Sequence, residues 1–373
     1  MFDVAVVGLG AMGSAAAWQA AKRGARVIGI DRYRPPHALG SSHGDTRITR
    51  LAIGEGEQYT PLVQRANEIW REIEREAGEE LHVVTGGLII SGPARGATTH
   101  VANFFENTLA AARRFDIAHE ILDAAQIRRR FPQFAVRDNE VGYFEPGAGY
   151  LRPERGIAAQ LKLAAARGAE LHLDEQVRGV EETGGRVRIA TDRGTYDAKQ
   201  AILSVGAWLP GFLEPGLARR LAVTRQVLYW FAPRGDIAEF EAPRFPIWIW
   251  ELQSQHVIYG FPAIDGANGG VKVATEQYTR TTTPDAVERE VSEDEKRGMH
   301  RNLVAPYLPG LSDRCVKSAT CLYTATPDFQ FWIDRHPDMP KVVIVSACSG
   351  HGFKHSAAIG ERAAGMALEN QGF

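Results

Sequence analysis

The run Gly8-Leu9-Gly10-Ala11-Met12-Gly13 constrains this chain more than any other stretch. It follows a short β-branched segment, Asp3 to Val7, and opens an Ala-rich helical segment, Met12 to Arg23, closed by Gly24. A second strand, Arg26 to Ile30, ends in Asp31. Strand, glycine turn, helix, strand and acid, in that order, predict a βαβ unit and a parallel sheet. Gly8 permits the tight turn, Gly10 admits a pyrophosphate against the backbone, and Gly13 lets helix and strand pack closely. The helix N-terminus then faces the phosphates with free N–H groups, and Asp31 stands where a carboxylate binds ribose hydroxyls. The fingerprint predicts a dinucleotide and does not separate NAD from FAD.

The rest of the chain reads as α/β, then β-rich, then α/β again. Helices are expected from about Tyr59 to Ala77, His100 to Phe115, Ala124 to Phe131 and Pro153 to Arg167. Leu81 to Ser91 reads as two strands joined at Gly86-Gly87, and Gly184-Gly185 as a hairpin turn. Leu221 to Val273 is strand-like and aromatic, and Asp285 to Pro306 is charged and helical. Strands at Val316 to Tyr323, Phe331 to Ile333 and Val342 to Ser346 precede a last helix from His355. With 373 residues, two intimate domains are expected. The order predicts a nucleotide domain built from both chain ends (1–80, 145–215 and 315–373). A β-rich substrate domain (81–144 and 216–314) is inserted in it.

Composition narrows the function classes. Hydrophobic residues make up 44% and charged residues 24%, with a net charge of -2 and both signs interspersed. That excludes a disordered chain and gives no nucleic-acid footprint or basic membrane face. No apolar stretch approaches a membrane span. Three cysteines, Cys315, Cys321 and Cys348, make no disulfide framework, and a cytoplasmic protein is expected. His37, His43, His351 and His355 lack metal-ligand spacing and there is no CxxC, so no metal is expected. GxSxG is also absent, which argues against a serine hydrolase.

Two further stretches carry specific motifs: His43-Gly44-Asp45-Thr46-Arg47-Ile48-Thr49-Arg50, and Ala319-Thr320-Cys321-Leu322-Tyr323-Thr324 with Ser349-Gly350-His351-Gly352-Phe353-Lys354. With the glycine loop, Tyr59, Gly206-Ala207-Trp208 and Tyr259-Gly260-Phe261-Pro262, the chain resembles the monomeric sarcosine oxidase and N-methyltryptophan oxidase family. The resemblance implies a Rossmann-like FAD-binding domain with an inserted α+β substrate domain. It implies FAD joined through its 8α-methyl group to Cys321. Period-two reasoning alone places Cys315 and Cys321 on one side of a strand and leaves the choice open. It further implies that Arg50 and Lys354 hold the substrate carboxylate, as a buried anion needs cationic partners. The resemblance also implies Arg47 near the flavin ring, Lys272 near flavin N5 where it would activate oxygen, and Tyr259 in the active site. The Lys272 match requires a two-residue insertion in the Gly266 to Gly270 loop.

The cofactor-lining set expected on this basis is Gly8, Gly10, Ala11, Met12, Gly13, Asp31, Arg32, Ser42, His43, Thr46, Arg47, Val177, Gly206, Trp208, Cys321, Gly350, His351, Gly352, Phe353 and Lys354. The implied reaction oxidises a secondary amine, an N-methyl or cyclic amino acid, to an imine. O₂ becomes H₂O₂, the imine hydrolyses, and the enzyme works as a monomer. Two other functions share the glycine loop: a nicotinamide-dependent dehydrogenase and a flavin-binding protein without oxidase activity. The first leaves the HGDTR and SGHGFK stretches unexplained. One departure from the family pattern is Glu276, where a histidine is common. That acid puts sarcosine itself in doubt; it either favours a substrate with a second basic group or points to solvent. Trp230, Trp248 and Trp250 either line a large side-chain pocket or form sheet core.

Overall fold

The computed structural model describes residues 1–92, 101–252 and 256–368. The strand Phe2–Val7 lies in the middle of the first sheet, parallel to Val27–Ile30 on one side and Thr195–Leu203 on the other. Glu170–His172 extends the sheet beyond Val27–Ile30. The long strand Thr195–Leu203 changes partners along its length. Its first half pairs antiparallel with Arg186–Thr191, and its second half runs parallel to Val342–Ser346. Strand and helix thus come from both ends of the chain to build one sheet.

The helix Ala11–Lys22 is buried on nearly every side, which its small residues allow. It packs against Pro153–Ala166 and against Ser356–Leu368. A Cβ on Gly360 of the last helix would fall 2.3 Å from the Cβ of Ala15, so the two helices meet through glycine and alanine. Thr60–Ala77 adds Ile69, Trp70 and Ile73 to the same core.

The second sheet has the strand order Leu311–Ala325, Ala222–Pro233, Val271–Thr275, Val257–Gly260, Ile247–Glu251, Gly87–Ser91, Val141–Glu145 and Glu120–Asp123. Side chains alternate between its faces. On Ala222–Pro233, Tyr229 and Phe231 join a core with Trp248, Trp250, Phe134 and Leu308. Leu228 and Trp230 point the other way, with Ala274 and Cys321. Trp248 and Trp250 are therefore core residues rather than pocket lining, because their strand turns them to the closed face. Trp230 is on the open face but stands behind Lys272, whose Nζ lies 5.5 Å from its ring centroid.

Several boundaries differ from the sequence reading. His82–Val84 and Gly87–Ser91 are two strands, but they enter different sheets. His82–Val84 joins Gly149–Leu151 and Arg47–Thr49 in a small third sheet. The expected helix from Asp285 shortens to Glu293–Met299, continued by one π turn, because the capping box of Ser292 with Glu295 starts it there. The expected helix from His100 is Phe104–Arg114; His100 itself lies outside the described residues. A domain boundary at 315 cuts the strand Leu311–Ala325, which pairs along its length with Ala222–Pro233 and belongs whole to the second sheet.

That strand also corrects the cysteine parity. The register slips between Trp230 and Phe231, which face Lys317 and Cys315 in turn, so Val316 is an extra residue. Cys321 then shares a cluster with Leu228 and Trp230, whereas Cys315 packs on the opposite face beside the Phe231 core. Only one of the two thiols faces the first domain.

Candidate active site

A continuous cavity runs between the open face of the second sheet and the C-terminal ends of the parallel strands. One end is the glycine loop. Gly8 has φ +85, a conformation that L side chains avoid, and the carbonyl oxygen of Ser204 lies 2.7 Å from where a Cβ would be. Gly13 is needed for packing: its Cβ would fall 1.7 Å from the Gly8 carbonyl oxygen. Gly10 is different. Its φ is -68, and a Cβ there would meet nothing nearer than Ser42 Oγ at 4.0 Å. Neither backbone strain nor protein packing demands a glycine at position 10. The cradle it leaves, beside a helix start that no side chain caps, fits a pyrophosphate.

Asp31 accepts hydrogen bonds from the amides of Leu9 (2.7 Å) and Tyr33 (2.8 Å), and so ties the glycine loop to the second strand. Burial raises its pKa above the ordinary carboxylate value, against those two hydrogen bonds. Arg32 and the Trp208 indole both reach Asp285 Oδ1, at 3.0 and 3.1 Å, closing the same end of the cavity from the second domain.

Midway, the loop of His43 to Arg47 folds under the second sheet. Lys272 Nζ donates to the carbonyl oxygens of Gly44 (2.7 Å) and Thr46 (2.8 Å) and reaches Thr46 Oγ1 at 3.3 Å. Burial, and then the Arg47 charge, push the Lys272 pKa well below that of an ordinary lysine. Three oxygen acceptors nonetheless match the three N–H donors of an ammonium, whereas the neutral amine has two. The Phe261 ring lies 4.4 Å away and also favours the cation. The geometry therefore supports a charged Lys272. Arg47 donates to Thr46 O (2.9 Å) and Ser41 O (2.8 Å), and its Nη2 lies 3.6 Å from Cys321 Sγ. Cys321 is buried in the cavity wall.

At the far end stand Arg50 and Lys354, both buried. Between them lies Glu55. Its Oε2 is 2.6 Å from Arg50 Nη2, and its Oε1 is 3.2 Å from Lys354 Nζ. Arg50 also donates to Ala52 O and Lys354 to His351 O (2.9 Å). Burial lowers the Lys354 pKa, and the Glu55 carboxylate opposes that shift. The strand Val257–Gly260 brings in Tyr259, whose hydroxyl lies 3.3 Å from that of Tyr323. Burial pushes the Tyr259 pKa up to about 12.

The glycine fingerprint, the cysteine and both cationic residues thus come together, although Arg50 and Lys354 are far apart in sequence. A family model described as FAD dependent oxidoreductase matches residues 3–366. The chain belongs to this family. Monomeric sarcosine oxidase of Streptomyces avermitilis is 42% identical over 98% of this chain and 94% of its own length. N-methyl-L-tryptophan oxidase of Yersinia pestis is 34% identical over 97% and 94%. The crystal structure of NikD, an unusual amino acid oxidase essential for nikkomycin biosynthesis, superposes with a TM-score of 0.83 at 28% identity over 100% of this chain and 95% of NikD. The protein is an FAD-dependent oxidoreductase of the sarcosine oxidase and N-methyltryptophan oxidase family, acting on CH–NH bonds. The nicotinamide alternative is set aside.

Of the residues expected to line the cofactor, Gly8, Gly10, Ala11, Met12, Asp31, Arg32, Ser42, Arg47, Val177, Gly206, Trp208, Cys321, Gly350, His351, Gly352, Phe353 and Lys354 border the cavity. Gly13, His43 and Thr46 do not. Gly13 is packed under the loop, Thr46 acts by holding Lys272, and His43 is buried behind the wall. Burial, with Arg47 and Lys272 nearby, pushes the His43 pKa down to about 3, so it is a neutral neighbour of those cations. The sequence reading missed Glu55, whose signal was an acid between Gly54 and Gly56, and Tyr278, which has no motif around it. It also missed Glu154, which binds the amides of Gly44 (2.6 Å) and Asp45 (3.2 Å) and so shapes the HGDTR loop. No group of His, Cys, Asp and Glu among the described residues is arranged to hold a metal. No helix among them is long and apolar enough to cross a membrane.

Proposed function

We propose that the protein oxidises the secondary amine of an N-methyl or cyclic amino acid to an imine, with FAD bonded covalently to Cys321. O₂ is reduced to H₂O₂ and the released imine hydrolyses. Bound FAD supplies the two-electron acceptor and its reoxidation by oxygen. The observation that carries this reading is the convergence of Arg50 and Lys354 on one buried carboxylate, that of Glu55. Two buried cations that converge on a carboxylate in a cavity wall form a site suited to the carboxylate of an amino acid. Holding that carboxylate fixes the rest of the substrate and aims its C–H bond.

Lys272 supplies positive charge in the middle of the cavity. It stabilises the negative charge that develops on oxygen as electrons arrive. Asp31 would hold the ribose with the lone pairs left over from its two backbone bonds, and the first turn of Ala11–Lys22 would hold the pyrophosphate. The sarcosine oxidase relative is named as monomeric, and we read this chain as a cytoplasmic monomer as well.

A peroxide assay over sarcosine, N-methyltryptophan, pipecolate, proline and glycated amino acids tests the proposal. Peroxide from at least one member is expected. Its absence throughout, with the bound flavin left oxidised under anaerobic conditions, overturns the proposal.

A further inference from the structure

The strand Val271–Thr275 turns Lys272 and Ala274 to the cavity side. The period of two carries that row on to Glu276, just past the strand end. Glu276 is half-buried in the cavity wall among three tyrosines. The Tyr278 hydroxyl donates to its Oε2 at 3.2 Å. The Tyr278 and Tyr323 rings lie 5.9 Å apart, and the Tyr323 and Tyr259 hydroxyls 3.3 Å apart. Tyr278 reaches this place because residue 350 is glycine; a Cβ there would fall 2.4 Å from its hydroxyl oxygen. Burial first, and the Glu276 charge with it, raise the pKa of all three phenols and keep them neutral. The same carboxylate acts on Lys354, favouring its charged form, so the acid shares the electrostatic space of the cationic grip.

The cavity therefore has two poles. Arg50 and Lys354 form the positive one. The negative one is a carboxylate set among aromatic rings, an arrangement that attracts alkylated ammonium groups by charge and by the ring quadrupole together.

We infer that Glu276, with Tyr259 and Tyr323, is the site for the substrate's ammonium group and selects amino acids bound with both charges in place. This rests on the reading of Arg50 and Lys354 as the carboxylate grip. It assigns the acid a role that a neutral imidazole at this position cannot fill. Amines without a carboxylate engage one pole only, and so do carboxylates without a cation.

Two ligands of one shape test this on the flavin-loaded enzyme by calorimetry. Trimethylammonioacetate carries a fixed cation beside its carboxylate; 3,3-dimethylbutanoate has carbon in place of nitrogen and no cation. The wild-type protein is expected to bind the first at least about tenfold more tightly. Glu276→Gln is expected to reduce that preference to about threefold or less, the remainder coming from the rings, and to leave affinity for 3,3-dimethylbutanoate within about twofold. Equal affinity for both ligands in the wild type, or an unchanged preference in Glu276→Gln, overturns the inference. Arg50→Met separates the two readings. A similar loss of both ligands shows the carboxylate grip to be sound whatever Glu276 does; no loss of either removes the grip and the inference with it.

Discussion

Glu55 Oε1 lies 3.2 Å from Lys354 Nζ, while the other oxygen of the same carboxylate holds Arg50. The proposed grip is therefore closed on an internal anion. Glu55→Gln removes that charge and leaves two buried cations side by side. A small carboxylate such as acetate should then bind about tenfold more tightly than to the wild type, because it displaces nothing. Without acetate the variant should melt at a lower temperature, since a buried charge has lost its partner, and acetate should restore part of the difference. Calorimetry and melting curves with and without acetate check both. Weaker acetate binding in the variant would show that Glu55 supports the site rather than competes for it.

Cys321 Sγ faces Arg47 Nη2 at 3.6 Å, on the open side of its sheet. Acid-precipitated wild-type protein should be yellow. Cys321→Ala should give a colourless pellet and a yellow supernatant, with Cys315→Ala and Cys348→Ala retaining the wild-type colour. A yellow Cys321→Ala pellet places the link elsewhere.

Lys272 makes the largest claim about oxygen. Lys272→Met should slow reoxidation of the reduced flavin by at least about a hundredfold, the scale on which loss of one preorganised charge acts. Anaerobic reduction by the amine should change much less. Stopped-flow measurement of the two half-reactions separates the effects. The carbonyls of Gly44 and Thr46 also lose their donor, so the variant should lose about 1–3 kcal/mol for each that stays dry. A normal oxidative half-reaction in a folded variant removes Lys272 from oxygen chemistry.

His43 gives a pH signature. It is buried, and its pKa in the folded protein is about 3, against an ordinary value of 6.5. The unfolded chain therefore takes up a proton below pH 6.5 that the folded one refuses, and stability falls as pH drops through that window. Between pH 6.5, where half of the unfolded chains already carry the proton, and pH 5 the loss from this one residue is about 1.6 kcal/mol, on a limiting slope of about 1.36 kcal/mol per unit. His43→Gln should flatten the acid side of the stability profile by about that amount. Thermal melts of both proteins from pH 5 to pH 8 read the difference, and parallel profiles refute the assignment.

What the sequence made legible was local or came from motifs. The βαβ start was legible because its turn, helix and acid lie within one short stretch, each with its own steric reason. The grip was harder. Arg50 and Glu55 are neighbours in sequence, but nothing near either of them announces Lys354, which arrives on the last strand-to-helix turn. Cys315 and Cys321 were indistinguishable by period because one extra residue, Val316, reverses the parity; a bulge of that kind depends on the partner strand. Trp248 and Trp250 looked the same as pocket aromatics, since hydrophobicity does not say which face of a sheet is closed. Tyr278 reaches Glu276 only because Gly350, distant in sequence, leaves room.

The glycine loop provides the last test, because its glycines are required for different reasons. Gly13→Ala pushes a methyl group against the Gly8 carbonyl oxygen, at a distance of 1.7 Å that no relaxation of a flexible side chain relieves. The helix must move off the strand, and the protein should fold poorly with or without flavin. Gly10→Ala meets open space, with its nearest neighbour 4.0 Å away, and its φ of -68 suits alanine. Removing a glycine there should even raise the stability of the apoprotein slightly, by about 0.4–1 kcal/mol, through a less flexible unfolded chain. The cost appears only when the cofactor arrives, since the new methyl group occupies the cradle meant for the pyrophosphate. Gly10→Ala apoprotein should thus melt at or above the wild-type temperature yet take up FAD much more weakly. Comparing apoprotein melts with flavin titrations of the three proteins checks this. Normal FAD uptake by Gly10→Ala would move the pyrophosphate away from the start of Ala11–Lys22.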